Sequence, residues 1–361
     1  MLDLACSEAT EGRIPMASDS SVSFYEAVEF FYGKPWTDGM PVVPPTEQRV
    51  AAMLQGTKRE ADEELGLVPP NFEPLTIKRI AEHAVMAGAL PEYMPVIVGA
   101  MEAILQENFN MHGVQTTIHG VAPLLIVNGP YGQKIGLNGG RGCFGPGFRA
   151  NTTIGRAIRL MLYNVGGGYP RASFSCFGSP ARYSYCIREN EEDSPWHPLS
   201  VDRGFEFDQN VVTVVQCDSP QLTHDDANDD PERLHLATTD CMANMGGMNA
   251  WRATDMVVAL APDIADNFAK AGFSKTDVHK LLREKAGRRV GQLRRGGLWR
   301  EERLNRYVQK VDPEDDDFFV TTIQEPSRLF LVVAGGRPGA STAVCHGWNE
   351  TTRGVSVEYQ V

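Results

Sequence analysis

One stretch constrains the fold more than any other. From Ala122 to Pro130, APLLIVNGP is a short apolar run closed by Gly and Pro, as expected of a buried strand. A glycine-rich loop follows, GLNGGRGCFGPGFRANTTIGR over 136–156, and then a helical pattern, TTIGRAIRLMLYNVGG. Strand, glycine loop and helix in that order predict an α/β (or α+β) fold on a mixed or parallel sheet. Elements of the same kind recur. VVTVVQC (211–217) and MVVALAP from Met256 read as strands, the latter leading into helices at about 263–270 and 274–285. RLFLVVAGG (328–336) is again an apolar strand running into glycines. An α/β part over 111–361 is expected, with two related units at 111–217 and 250–361.

The first third of the chain reads differently. Residues 1–21 are polar and without periodicity, as in a loose tail. Residues 22–110 predict a helical part. VSFYEAVEFFY suits one helix, Thr46 and Thr76 are placed to cap two more, and Pro91 opens another. The charged, Pro-rich stretch 57–75 reads as a surface connection. HGVQTTIHG, with its β-branched residues, reads as a strand.

Composition sets the outer limits. Apolar residues make up 42% and charged residues 22%, which fits a globular core and excludes a largely disordered chain. The 34 Lys and Arg against 46 Asp and Glu leave a net charge of −12, which disfavours nucleic acid and anionic lipid as partners. The seven Cys form no C-x-x-C pair and read as free thiols in a reducing compartment. The opening residues lack the basic flank and apolar run of a signal peptide, and no apolar stretch approaches the ~20 residues that span a bilayer. A cytoplasmic protein without membrane partners is expected, and its size and acidity suit a homo-oligomer.

The glycine loop is the first candidate site. Six glycines fall between 136 and 147, and the following helix starts at the capping residues Asn151, Thr152 and Thr153. Backbone N–H groups freed by glycine, together with a helix N-terminus, suit an anion. Gly140, Arg141, Gly142, Arg149, Asn151, Thr152 and Arg156 are the expected binding residues for a carboxylate or phosphate. Neither a G-x-x-x-x-G-K-[ST] loop nor a placed G-x-G-x-x-G fingerprint is present, so there is no nicotinamide or flavin signature. The alternative is a tight connection whose glycines only make turns. Cys143 lies in the same loop, where a helix N-terminus and arginines would lower its pKa and make it a nucleophile. A buried gap-filling thiol is the alternative.

His112 and His119 precede the loop. A histidine there would serve as general acid or base. In a regular strand their odd separation puts them on opposite faces, so a shared metal needs a bulge between them. The run Glu189-Asn190-Glu191-Glu192-Asp193 reads either as a solvated loop or as the source of a carboxylate that completes the set, with Glu189 as a base and Glu191 as a third ligand, beside His112 and His119, for a divalent metal. The acidic stretch 224–230 lacks the Gly and closing Glu of a calcium loop and reads as surface. The basic residues over 279–306 read as a solvated face meeting acidic partners, such as the DPEDDD run at 312–317.

Four segments together resemble a known family: TDGMPVVPPTEQRVAAML, AVMAGALPEYMPVIVGA, FGPGFRANTTIGRAIRL and ENEEDSPWHPL. They resemble a widespread bacterial family that carries a DGLPVVPPT signature and looks related to UGSC-type (seleno)proteins. The resemblance runs from about Trp36 to His197 and again through LFLVVAGG. That family has no settled reaction. This chain departs from the related proteins in having no U-G-S-C or C-G-S-C segment, which takes away the basis for a selenol or dithiol role. What the resemblance implies is that 139–156 and 188–198 belong to one site. The expected function is a small-molecule enzyme, a lyase, hydratase or hydrolase, that holds a small anionic substrate at the glycine loop. A thiol redox enzyme using Cys143 and a non-catalytic binding or assembly protein are the alternatives.

Overall fold

The computed structural model describes residues 24–169, 175–226, 230–250, 252–296 and 310–361. The expected tail at 1–21 lies outside these residues, as do 227–229 of the acidic stretch and Arg300, Arg303 and Arg306 of the basic run.

The chain begins with α1 (Phe24–Tyr32) and α2 (Glu47–Leu54), the second opened by the Thr46 hydroxyl accepting from the Arg49 N–H. Where a surface connection was expected, β1 (Glu64–Val68) and β2 (Glu73–Thr76) form an antiparallel hairpin. Thr76 then caps α3 (Ile77–Ala87), which ends on Gly88 in the left-handed conformation. After α4 (Met94–Ile104) the expected strand at 112–120 is instead α5 (Met111–Thr116). The reason is local: the Asn110 side chain accepts from the Gly113 N–H and starts a helical turn, which outweighs the β-branched residues at its end.

The first strand–loop–helix unit follows: β3 (Ala122–Asn128), α6 (Pro130–Lys134), α7 (Arg149–Asn164), β4 (Cys186–Arg188), α8 (Leu199–Asp202), β5 (Val211–Cys217) and β6 (Gln221–His224). Next come α9 (Pro231–Leu234), α10 (Leu236–Met242), β7 (Met256–Leu260), α11 (Pro262–Lys270) and α12 (Lys275–Lys285). The chain closes with β8 (Gly287–Arg289), α13 (Val290–Arg295), β9 (Phe319–Thr321), β10 (Leu329–Val333), β11 (Ser341–His346) and β12 (Val355–Glu358). The fold is α/β with mixed sheets. No helix among the described residues is long and apolar enough to cross a membrane.

Two four-stranded sheets carry the architecture, in the orders β12-β5-β3-β4 and β6-β11-β7-β10. Both follow one plan. A parallel pair (β3 with β4, β7 with β10) is joined to an antiparallel neighbour (β5, β11) and then to an antiparallel fourth strand. That fourth strand is exchanged. β6 follows β5 in the chain but pairs with β11, and β12 follows β11 but pairs with β5. Each half thus completes the other's sheet.

The apolar strands lack a polar face because both faces are covered. In β3, Leu125 and Val127 point to α3, α4 and α7, whereas Ala122, Leu124 and Ile126 point to the second sheet. β7 and β10 alternate in the same way. Met256, Val258, Leu260, Leu329, Leu331 and Val333 face α10 to α12, and Val257, Ala259, Phe330 and Val332 face the first sheet. The result is four layers: helices, sheet, sheet, helices. The helical N-terminal part is one of those layers, sharing a core with α7 and β3.

The sheets are pinned at one end. Glu189, just past β4, is fully buried, and its carboxylate accepts from Asn128 Nδ2 at 2.7 Å, the Leu199 N–H at 2.7 Å and the Val333 N–H at 3.3 Å. Lys275 Nζ lies 3.9 Å away. The Asn190 N–H donates to the Val333 carbonyl at 2.8 Å, and the Gly335 N–H to the Gly139 carbonyl at 2.8 Å. The two glycine loops therefore meet each other. A Cβ on Gly139 would lie 2.6 Å from the Arg188 carbonyl oxygen, and one on Gly336 2.8 Å from the Arg141 backbone.

This seam makes a direct prediction. Gly139→Ala places a methyl against backbone that cannot swing away, and should lower stability by about 1–3 kcal/mol. At Gly140 a Cβ meets only Asn138 Oδ1 at 3.5 Å, so Gly140→Ala is the control. Thermal melts of both variants check this; equal melting temperatures would show that the close approach carries no cost.

Candidate functional site

The expected site residues are not gathered round one ligand. The backbone of the glycine loop is turned on itself: the Gly140 N–H donates to Asn138 Oδ1 at 2.9 Å, the Cys143 N–H to the Gly140 carbonyl at 3.1 Å, and the Gly145 N–H to the Gly142 carbonyl at 2.8 Å. Asn151 is buried and holds this turn, accepting from the Asn138 N–H at 2.8 Å and donating to the Asn138 carbonyl at 2.9 Å. Arg141 and Gly142 lie on the exposed outer edge, where the Arg141 guanidinium donates to the Arg337 carbonyl of the second loop.

The helix arginines also have protein partners. Arg149 donates twice to the Gly88 carbonyl, at 3.1 and 3.0 Å, where a cation suits the C-terminus of α3. Arg156 is clamped by Asp38 at 2.9 and 2.8 Å and donates to the carbonyls of Met40 and Pro41. Thr152 is exposed beside them. Residues 149, 152 and 156 lie on one side of the helix, as their spacing requires, but the two arginines tie α7 to α3 and to the 38–41 turn.

Cys143 does not fit the nucleophile reading. Its thiol sits between the sheets in the cluster of Ala122, Ala334 and Cys345, and burial pushes its pKa up to about 11, opposite to the expected direction. The Glu189 carboxyl is likewise raised by burial, against the pull of Lys275 and its hydrogen-bond donors, and its oxygens are engaged across the seam. Glu191 accepts from Asn128 Nδ2 and from the Gly129 N–H, both at 2.9 Å, at the carboxyl end of β3.

The histidines are at the opposite end of that strand. β3 spans seven residues, or roughly 20 Å. His112 is exposed on α5, edge-on to Phe72. His119 precedes β3, with Nδ1 3.1 Å from Asp218 Oδ1 but off the line of a hydrogen bond. His112, His119 and Glu191 thus do not converge as a ligand set. Among the described residues no group of three or more His, Cys, Asp and Glu side chains is placed to hold a metal.

A cleft of about 550 Å³ opens at this histidine end. Arg159 and Tyr163 from the C-terminal half of α7 form one wall, with Asp38 beside them. Ser175 and residues 177–180, 182 and 183 form the other. Arg159 donates to Gln115 Oε1 and to the Gly168 carbonyl, both at 3.2 Å, and its guanidinium lies 5.7 Å from the centre of the Tyr163 ring. Arg182 donates to the Val121 carbonyl at 3.1 Å and the His119 carbonyl at 3.0 Å. The lining carboxylate of Asp38 is the one clamped by Arg156. Burial, and then the nearby charge of Arg182, pull the Arg159 pKa down to about 10. It stays charged at neutral pH, and among the described residues no carboxylate lies within ion-pair distance of it. A smaller cavity of about 250 Å³ beside α4 and β12 is lined by Lys58, Arg59 and Glu102. There Arg59 is already neutralised by Glu63 and Glu102 at 2.5 and 2.6 Å.

The reading from sequence singled out Arg156 and passed over Arg159 and Arg182. One signal was present: TTIGRAIRL carries two arginines three apart, and a helix turns them to neighbouring faces, one toward Asp38 and one toward the cleft. The chain matches no family model and no curated protein.

The thiol geometry makes its own prediction. Native labelling at pH 8 with iodoacetamide, mapped by mass spectrometry, should modify the exposed Cys176 and leave Cys143 unmodified until the protein is unfolded. Labelling of Cys143 as fast as Cys176 would restore it as a reactive thiol.

Proposed function

We propose that this protein binds a small anionic molecule in the cleft between Arg159 and Arg182, and that it is a small-molecule enzyme of the lyase, hydratase or hydrolase class. The observation that carries the reading is electrostatic. Two guanidiniums line one cleft, and among the described residues none of the carboxylates lies within ion-pair distance of Arg159. A bound carboxylate or phosphate would restore the solvation that Arg159 gives up on burial. Arg supplies the planar, forked donor set that suits such groups.

His119 is the proposed proton carrier. Its carbonyl holds Arg182, and its ring Nδ1 lies 3.1 Å from Asp218 Oδ1, at the same end of β3 as the cleft. The proposed family membership agrees with this placement. Asp38 of TDGMPVVPPT meets Arg156 of TTIGRAIRL beside the cleft, so two of the segments that carry the resemblance come together there. A binding protein without chemistry is the second reading, favoured by the absence of the His119 ring from the lining of the cleft.

Calorimetric titration of the full chain with acetate and with inorganic phosphate, at low ionic strength, tests the binding. Saturable binding that Arg159→Gln weakens at least tenfold is expected. Affinity unchanged by Arg159→Gln, or no binding of either anion, would remove the cleft as the site.

A further inference from the structure

We infer that the ligand of the Arg159–Arg182 cleft is a carboxylate on an aromatic or broad apolar body rather than a bare anion or a phosphate; this rests on the function proposed above. Size comes first. A cleft of about 550 Å³ falls in the range of pockets that take a ligand of drug-like size, of order 300–1,000 Å³, and acetate or phosphate alone would leave most of it to water.

The walls give the second argument. Away from the two guanidiniums, Tyr163, Phe177, Pro180 and Tyr183 supply the apolar part of the lining, beside the small residues Ser175, Gly178 and Ser179. Phe177 is 98% exposed and Tyr183 51% exposed, so large rings stand open to solvent at the cleft. Open rings next to half-buried cations suit a ligand with a flat apolar part and one charged end. Tyr163, with Arg159 over its ring and Tyr169 edge-on at 4.6 Å, is held in place and offers a fixed wall.

The third argument separates carboxylate from phosphate. Phosphate sites favour a helix N-terminus, where unpaired N–H groups and the dipole meet the anion. Arg159 and Tyr163 lie in the last turns of α7, which ends at Asn164, so the dipole there presents its negative end. The Asp38 carboxylate in the lining is already paired with Arg156 and offers an incoming anion no donor. A single negative charge is tolerated in that field better than a phosphate dianion.

Titration of the full chain with 2-naphthoate, acetate, inorganic phosphate and adenosine monophosphate tests this. Naphthoate should bind at least ten times more tightly than acetate and more tightly than adenosine monophosphate or phosphate. Phe177→Ala with Tyr183→Ala should remove most of the naphthoate advantage while leaving acetate affinity within twofold, since both rings are exposed and their loss should not unfold the chain. Arg159→Gln should weaken both carboxylates. Equal affinity for acetate and naphthoate would overturn the apolar-body inference and leave the anion site standing. Tighter binding of adenosine monophosphate or phosphate would overturn the choice of carboxylate. Insensitivity of every probe to Arg159→Gln would instead overturn the underlying site.

Discussion

The carboxylate of Glu189 holds together the ends of four elements that sequence order keeps apart. It takes hydrogen bonds from Asn128 at the end of β3, Leu199 at the start of α8 and Val333 at the end of β10, and lies beside Lys275 at the start of α12. A fully buried carboxylate is tolerated only when donors replace its lost water, and here three backbone or amide donors and a lysine do so. With this end of the sandwich tied, the strand ends of both sheets and both glycine loops have fixed places. The glycines at 139 and 336 are needed because the chain segments on either side of the seam come within van der Waals contact.

That arrangement closes the glycine loop as a cradle for an anion. Glycine-rich backbone in front of a helix is an anion cradle only when its N–H groups point outward into an open space. Here Asn138 and Asn151 draw the loop into a closed turn, and the second glycine loop covers its inner side. Arg149 and Arg156 serve the packing of α7 in the same way. Among the described residues Arg159, with no carboxylate within ion-pair distance, lies toward the other end of the helix, beside the segment that carries His119.

Much of the secondary structure was legible because local rules acted unopposed. The caps at Thr46 and Thr76, the stop at Gly88, and the strands at 122–128, 211–217, 256–260 and 329–333 follow from capping chemistry and apolar runs. Legibility failed where two local preferences competed. At 111–116 the Asn110 cap prevailed over β-branched residues, and at 64–76 a hairpin formed within a charged stretch. The basic run also had a plain outcome: Arg289 and Arg294 pair with Asp317 and Asp316, so those charges are met within the chain.

Sequence alone determined that this chain would build apolar strands followed by glycine loops and helices, because the periods of burial and the capping residues are written in neighbouring positions. Only the tertiary structure decided which charges neutralise one another. Asp38 reaches Arg156 across 118 positions of chain, and Arg328 reaches Asp255 across 73, in contacts that no local pattern encodes. Whether an arginine ends as a structural clamp or as an open cation depends on where a distant carboxylate arrives, and that depends on the exchange of β6 and β12 between the sheets and on the packing of all four layers.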